Sequence, residues 1–199
     1  MAKDPTGFPE IDEDWDVPYQ PADFLDLDRA SIPITDTSPA PALVEFTHRL
    51  IAAEGPIHEE VLFLHTREVL YLKSLSAAKK KLVGAAVEHL VKDGRVAADG
   101  EFFDLPGRPC RNARRPLPGL VKRPVEHVAP AERQTALVGL IHDAPGRPFD
   151  QVLSDGVRFF GWTASTRGVK SALSGDLYRL RDQGRIMGWP DSLVVRNPS

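Results

Sequence analysis

The chain has 199 residues, 42% of them apolar and 27% charged, with a formal charge of −3, which is enough apolar material for the cores of one domain or two small ones. No apolar run approaches the roughly 18 residues that span a bilayer, and the start Met-Ala-Lys-Asp-Pro leads into acid without an apolar signal core. Cys110 is the only cysteine, so no internal disulfide forms. These features predict a soluble, cytoplasmic protein with no membrane partner, in which Cys110 is incidental.

The charge is unevenly spread. Residues 1–36 hold ten acids against two bases, residues 37–107 ten against eight, residues 108–129 one against six, and residues 130–199 seven against nine. The first segment also carries Pro5, Pro9, Pro18, Pro21 and Pro33. It is expected to be a disordered acidic tail, because it buries too little apolar surface to offset the entropy of ordering. Trp15, Tyr19, Phe24 and Leu25 interleave with its acids, a pattern suited to anchoring in a partner's groove or to mimicry of nucleic-acid charge. Residues 10–28 are further expected to fold back over the chain's own basic segment and mask it.

From Pro39 the pattern turns helical, with Leu43, Phe46, Leu50 and Ile51 on one face until Gly55-Pro56 stops the helix. A second helix runs from about His58, with Val61, Leu62, His65 and Val69 inward. A third runs from about Ser76, where Ser74 or Ser76 can cap the first amides, and buries Ala78, Leu82, Ala85, Ala86, Leu90 and Val91. Gly94 suits its C-terminal end. Asp99-Gly100 between Arg95-Val96-Ala97 and Glu101-Phe102-Phe103-Asp104 then signals a hairpin. Three helices followed by a hairpin is the winged-helix order, predicted for residues 37–105.

Residues 106–129 carry prolines at 106, 109, 116, 118 and 124 among Arg108, Arg111, Arg114, Arg115, Lys122 and Arg123. Such a stretch reads as an extended, semi-rigid linker. Residues 130–199 then repeat the earlier order, with helices near 130–143, 148–160 and 165–182. Strands follow at Arg185-Ile186-Met187 and Leu193-Val194-Val195, around a turn at Gly188-Trp189-Pro190-Asp191. The two copies align without gaps at an offset of ninety over about 45 residues: Leu50/Ile51 meets Leu140/Ile141, Lys80 meets Lys170, Val83 meets Leu173, and Gly94-Arg95 meets Gly184-Arg185. Two copies fall short of a solenoid. The expected fold class is α+β, mainly helical with small hairpins, as two winged-helix domains in tandem.

The pentapeptide Glu54-Gly55-Pro56-Ile57-His58, the following Arg67, the long third helix and the aromatic pair Phe102-Phe103 resemble an uncharacterised domain. That domain is found at the C-terminus of large bacterial superfamily I helicase-like proteins that often also carry a nuclease module. The resemblance covers about residues 40–104 and, more weakly, 130–186. It implies a winged-helix module associated with DNA processing, and a helicase or nuclease partner. Between the second and third helices the family reads Gly-x-x-Arg-x-Gly-x-Arg-Ile, whereas Tyr71 to Lys79 here lacks those glycines and arginines.

No phosphate-binding Gly-x-x-x-x-Gly-Lys loop and no Gly-x-Gly-x-x-Gly turn occurs. His58-Glu59-Glu60-Val61-Leu62 begins like a zinc-protease helix but places Leu62 where the second histidine must stand, and His58 with His65 makes a poor metal site. No catalytic residue, cofactor or metal is therefore predicted, and the chain is not expected to be an enzyme. A winged helix that reads DNA inserts its third helix in the major groove and lays its wing on the backbone. That geometry nominates Lys73, Ser76, Lys79, Lys80 and Arg95 in the first copy. In the second it nominates Thr163, Ser165, Thr166, Arg167, Lys170, Ser171 and Arg185, with Arg114 and Arg115 of the linker alongside. Trp162 is expected to plug the core between helices two and three, and Trp189 to stand more openly at the second wing. The predicted partner is DNA, duplex more than single-stranded, at a salt slope of about −3 to −4 per module. The alternative is an adaptor whose third helices dock a protein. A continuous positive stripe through Lys80, the linker arginines, Arg167 and Lys170 would favour DNA, and acidic interruption of it the adaptor.

Overall fold

The computed structural model describes residues 14–24, 26–34, 37–118 and 123–196. Residues 1–13, Leu25 and Lys122, which the sequence assigns to the acidic tail and the basic linker, lie outside the described residues. The fold is α+β. In chain order the elements are β1 (Asp16–Pro18), α1 (Pro41–Glu54), β2 (Ile57–His58), α2 (Glu59–Val69), α3 (Ala77–Lys92), β3 (Ala97–Asp99), β4 (Phe102–Asp104), β5 (Ala113–Arg115), α4 (Pro130–Asp143), α5 (Phe149–Phe159), α6 (Val169–Asp182), β6 (Ile186–Met187) and β7 (Val194–Val195). They divide into one unit of residues 21–108 and another of residues 109–196 together with 14–20.

In the unit of residues 21–108, α1 starts on Pro41, whose fixed φ suits the first helical position, and buries Leu43, Phe46, Leu50 and Ile51 as the spacing predicts. Ser76 caps α3 by accepting from the Lys79 amide. The buried stripe of α3 is Leu82, Val83, Ala86, Val87 and Leu90. Ala78 and Val91, expected inside, are exposed, because the stripe lies one position round the helix from them. The hairpin turns at Gly100 (φ 60°), the first of two loop residues between Asp99 and Phe102, the position at which a two-residue turn of this hand requires glycine. β2 adds a third strand that the sequence did not signal, pairing Ile57 with Phe103; two residues are too short to show a period.

The ninety-residue echo recurs bond by bond. Ile57 faces Phe103 where Arg147 faces Leu193, and Ala97 faces Asp104 where Met187 faces Val194. Helix α2 ends with the Tyr71 amide donating to Glu68 and the Leu72 amide to Arg67; α5 ends with Gly161 donating to Arg158 and Trp162 to Val157. Helices α3 and α6 close in the same way through Gly94-Arg95 and Gly184-Arg185. All four ends are Schellman caps, which turn the chain on one left-handed residue. In three it is Gly94, Gly161 or Gly184, at φ 69°, 66° and 70°; in the fourth it is Tyr71, at φ 51°.

The structure corrects the expected boundaries. Residues 14–34 are not a free tail. Phe24, Ile32 and Ile34 enter the core of residues 21–108, where the Ala22 amide donates to Glu54 Oε1 at 2.8 Å and Arg29 Nε to the Val69 carbonyl at 2.7 Å. Trp15, 5% exposed, packs with Ala113, Val128, Ala136 and Phe160 in the other unit, and donates to Asp143 at 3.1 Å. Trp15 and Phe24, which the sequence suits to a partner's groove, dock instead on helices of their own chain, which supply the apolar surface. Within the linker, β5 occupies the proline-free stretch between Pro109 and Pro116 and pairs in parallel with β1. Helix α6 begins four residues later than predicted. Thr163 and Thr166 hydrogen-bond to each other and close a local turn, and Gly168 stands left-handed at φ 82°, so local bonds compete with the helix.

Gly139 on α4 lies flat against the Trp15 indole, where a β-carbon would overlap the ring. Gly139→Ala, although alanine favours a helix by about 1 kcal/mol, should displace Trp15 and lower the unfolding free energy by about 2–4 kcal/mol. Urea unfolding followed by tryptophan fluorescence measures this, and an unchanged midpoint would show that Trp15 does not hold the N-terminal strand.

Candidate nucleic-acid interface

Each cation nominated from the sequence either meets a carboxylate or does not, and this sorts them. Lys80 Nζ lies 3.1 Å from Glu60 Oε2 and 4.9 Å from the Phe63 ring centroid. Arg95 Nη2 lies 2.7 Å from Glu45 Oε2, and its hydrogen bond is the main cause holding the Glu45 carboxyl below its usual range. Arg115 Nε donates to Asp16 Oδ1 at 2.8 Å. Arg114 is drawn into the interior. Arg114 is thereby a correction to the nominated surface; acids of the same fold hold the other three, whose side chains stay partly exposed.

The strongest pairing lies beneath the basic linker. Glu132, on the first turn of α4, is fully buried. It accepts from Arg114 Nη2 at 2.6 Å, from the Arg114 amide at 2.9 Å, and from Arg123 Nη1 and Nη2 at 2.9 and 2.5 Å. The Tyr19 ring lies 5.6 Å from the Arg114 guanidinium and 4.5 Å from that of Arg123. Burial alone would raise the Glu132 pKa; the two guanidinium charges and their hydrogen bonds outweigh it and hold the group at about 2. Residues 14–20 thus fold back over the basic segment as the sequence predicts, with β1 on β5 and Asp16 on Arg115, and pack into the core of this unit.

What remains free lies at the third helices. Lys73 in the loop before α3 and Lys79 on its first turn make no ion pair among the described residues, nor does the exposed Lys81, which the sequence reading passed over. Ser76 is exposed but spends its hydroxyl on the helix cap. In the other unit Lys170 and Ser171 stand exposed on the first turn of α6. Thr163, Ser165, Thr166 and Arg167 are exposed in the loop before it, not on the helix as predicted. Lys170 matches Lys80, yet the acid matching Glu60 is Asp150, one methylene shorter, and no ion pair forms there. Arg185 is half-buried and serves, like Arg95, in the cap that ends its helix.

These cations sit where helix electrostatics disfavours them. The positive end of a helix dipole favours acids on the first turn, and α2, α4 and α5 comply with Glu59 and Glu60, Glu132 and Asp150. The first turns of α1, α3 and α6 carry none, and of these three only α3 and α6 place cations there. The hydroxyls and ammonium groups there offer phosphate donors and some base-edge chemistry.

The other nominated positions are structural. His58 Nδ1 accepts from the Glu60 amide and starts α2, and His65 Nδ1 lies 2.8 Å from Glu54 Oε2 inside the core. Trp162 stacks on Phe160 with centroids 4.5 Å apart and donates to the Arg123 carbonyl, so it plugs the core as predicted. Trp189 packs on Phe149 and Tyr178 with Arg181 over its face, and so is less open than expected. No cluster of three metal-ligating side chains occurs among the described residues, and no helix there is long and apolar enough to cross a membrane.

The folded pKa of Glu132 lies below its unfolded value of about 4.3, so its contribution is complete above that value and is lost as pH falls toward 2. The shift corresponds to roughly 3 kcal/mol. Acid titration of the unfolding free energy should show this loss between pH 5 and 2. Glu132→Gln should abolish it while costing about 3–5 kcal/mol at neutral pH, by leaving two buried guanidinium groups short of countercharge. A wild-type acid slope in the variant would exclude Glu132 as its source.

Comparison of the chain with protein-family models, with curated proteins and with solved structures returns no match.

Proposed function

We propose that the chain is a non-enzymatic pair of winged-helix domains that binds duplex DNA weakly through the first turns of α3 and α6. The observation that carries this reading is the placement of unpaired cations around the positive ends of both third helices, half-buried Lys79 with exposed Lys73 and Lys81 at α3 and exposed Arg167 and Lys170 at α6, where the helix field favours acids. A polyanion offsets that cost, and phosphate contacts supply most of the affinity of such a surface. Lys73, Lys79 and Lys81 give one module about three contacts, for a salt slope near −3. Arg167 and Lys170 give the other about two. Binding this weak suits an accessory to a DNA-processing enzyme, the setting that the resemblance of residues 40–104 implies.

A second reading, a protein-docking adaptor, is favoured by one specific observation: acids interrupt the positive stripe. Glu60, Glu45, Asp16 and Glu132 engage Lys80, Arg95, Arg115 and Arg114. The tip of the β3–β4 hairpin, the first wing, carries Asp99 and Glu101.

Lys79→Glu and Lys170→Glu separate the two readings, because each moves stability and affinity in opposite directions. Each should stabilise its helix by about 0.3–1 kcal/mol, weaken binding to a random duplex about three- to ten-fold, and lower the salt slope by about one. Fluorescence anisotropy of the full chain at two salt concentrations gives both binding quantities. Affinity that is undetectable at low salt, or unaltered in both variants, would reject the DNA reading in favour of the adaptor.

A further inference from the structure

Four helices of this chain end in the same two-bond cap, and three of them place glycine at its left-handed residue. The exception is Tyr71, at φ 51°. An L-residue with a β-carbon is strained there, and glycine is not. Gly161 occupies the matching position ninety residues on, in a cap with the same two hydrogen bonds, so this turn is built equally well without a side chain. The tyrosine side chain does not offset the strain by filling the core. It is 77% exposed, the most exposed large apolar side chain among the described residues, and its ring stands outside the hydrophobic cluster of its unit. Backbone strain maintained for an exposed aromatic ring is a mark of function.

The surroundings say what the ring meets. The Arg29 guanidinium lies over it, 4.6 Å from the centroid, and is itself held by hydrogen bonds to the Val69 and Phe24 carbonyls. One face of the ring is thus backed by a fixed cation, leaving the other open to solvent. Lys73, two residues further along, is exposed and makes no ion pair among the described residues. A five-residue loop carrying Lys73 joins the turn to α3, where Lys79 and Lys81 supply the other proposed phosphate contacts. An open aromatic face beside unpaired cations fits a nucleotide, with the base stacked on the ring and its phosphates on the ammonium groups. A base inside a duplex is already stacked on both faces, so the fitting base is unpaired.

We propose that Tyr71 is a stacking platform for an unpaired base flanking the duplex held by α3, so that the substrate of this module is DNA at a junction between double and single strands. This inference rests on the DNA-binding reading above. The test uses the full chain and three probes sharing one duplex: blunt, forked with thymine arms, and forked with abasic arms that keep the phosphates and lack the bases. Anisotropy titration should give about five-fold or tighter binding to the thymine fork than to the abasic fork. Tyr71→Gly should abolish that preference and leave blunt-duplex affinity and the thermal midpoint unchanged or slightly raised, because Gly161 shows that the cap tolerates glycine. Tyr71→Phe, which retains the ring, should keep the preference.

Equal binding of the two forks by the wild-type chain, or persistence of the preference in Tyr71→Gly, would overturn the proposal, as would its loss in Tyr71→Phe. A lowered thermal midpoint in Tyr71→Gly with the preference intact would instead assign the ring to holding Arg29 and the N-terminal segment. Absence of binding to every probe, the blunt duplex included, would defeat the DNA-binding reading itself; binding to the blunt duplex without fork preference defeats only the stacking.

Discussion

Glu132 has no exposed surface, and a carboxylate removed from water must be neutralised and hydrogen-bonded or it does not remain charged. Two guanidinium groups meet that demand, and both come from the proline- and arginine-rich stretch that precedes α4. Holding Arg114 holds β5; β5 pairs with β1, and β1 lies between Trp15 and Tyr19, which pack on the same unit. One buried acid thereby orders two stretches that composition alone assigns to loop and tail. A hydrophobic trio of similar volume would serve stability as well. The ionic arrangement adds a fixed register for two segments that have little regular structure of their own.

The same economy of charge defines the surface. Most basic side chains near an acid are engaged by it, on the helices, on the hairpin and in the linker. The cations left over are concentrated around the first turns of α3 and α6, against the local helix field. A protein that is acidic overall can in this way present small cationic faces without a basic stripe, at the cost of modest affinity. Each unit carries its own such face.

Duplication conserved the backbone and released the side chains. Strand register, the C-terminal ends of the second and third helices and their left-handed cap residues coincide at an offset of ninety. The buried polar groups do not: His65 meets Glu54 in one copy, and the matching Asp155 meets Arg147 and Arg158 in the other. Glu60 reaches Lys80, whereas Asp150 leaves Lys170 free. Tyr71 and Gly161 occupy one backbone position with opposite effects, strain with an aromatic ring or relief with none. Divergence of this kind is expected where two copies share a scaffold but not a ligand geometry.

The periodic apolar positions, the Gly94 and Gly184 stops, the hairpin turning at Gly100 and the ninety-residue offset were legible in the sequence, because helices, caps and tight turns are set by residues within a few positions of one another. Lys79 and Lys170 were legible as candidates for the same reason. The rest depended on partners distant in the chain. Nothing local to Trp15 announces Gly139, nothing near Arg114 announces Glu132, and nothing around Lys80 says that Glu60 reaches it where Asp150 fails to reach Lys170. The sequence by itself therefore determined two trihelical units with hairpins and the nature of their helix ends. Only the tertiary structure decided that Trp15, Phe24 and Arg114 are packed inside and which cations stay free, since burial and ion pairing depend on distances in space that spacing along the chain does not encode.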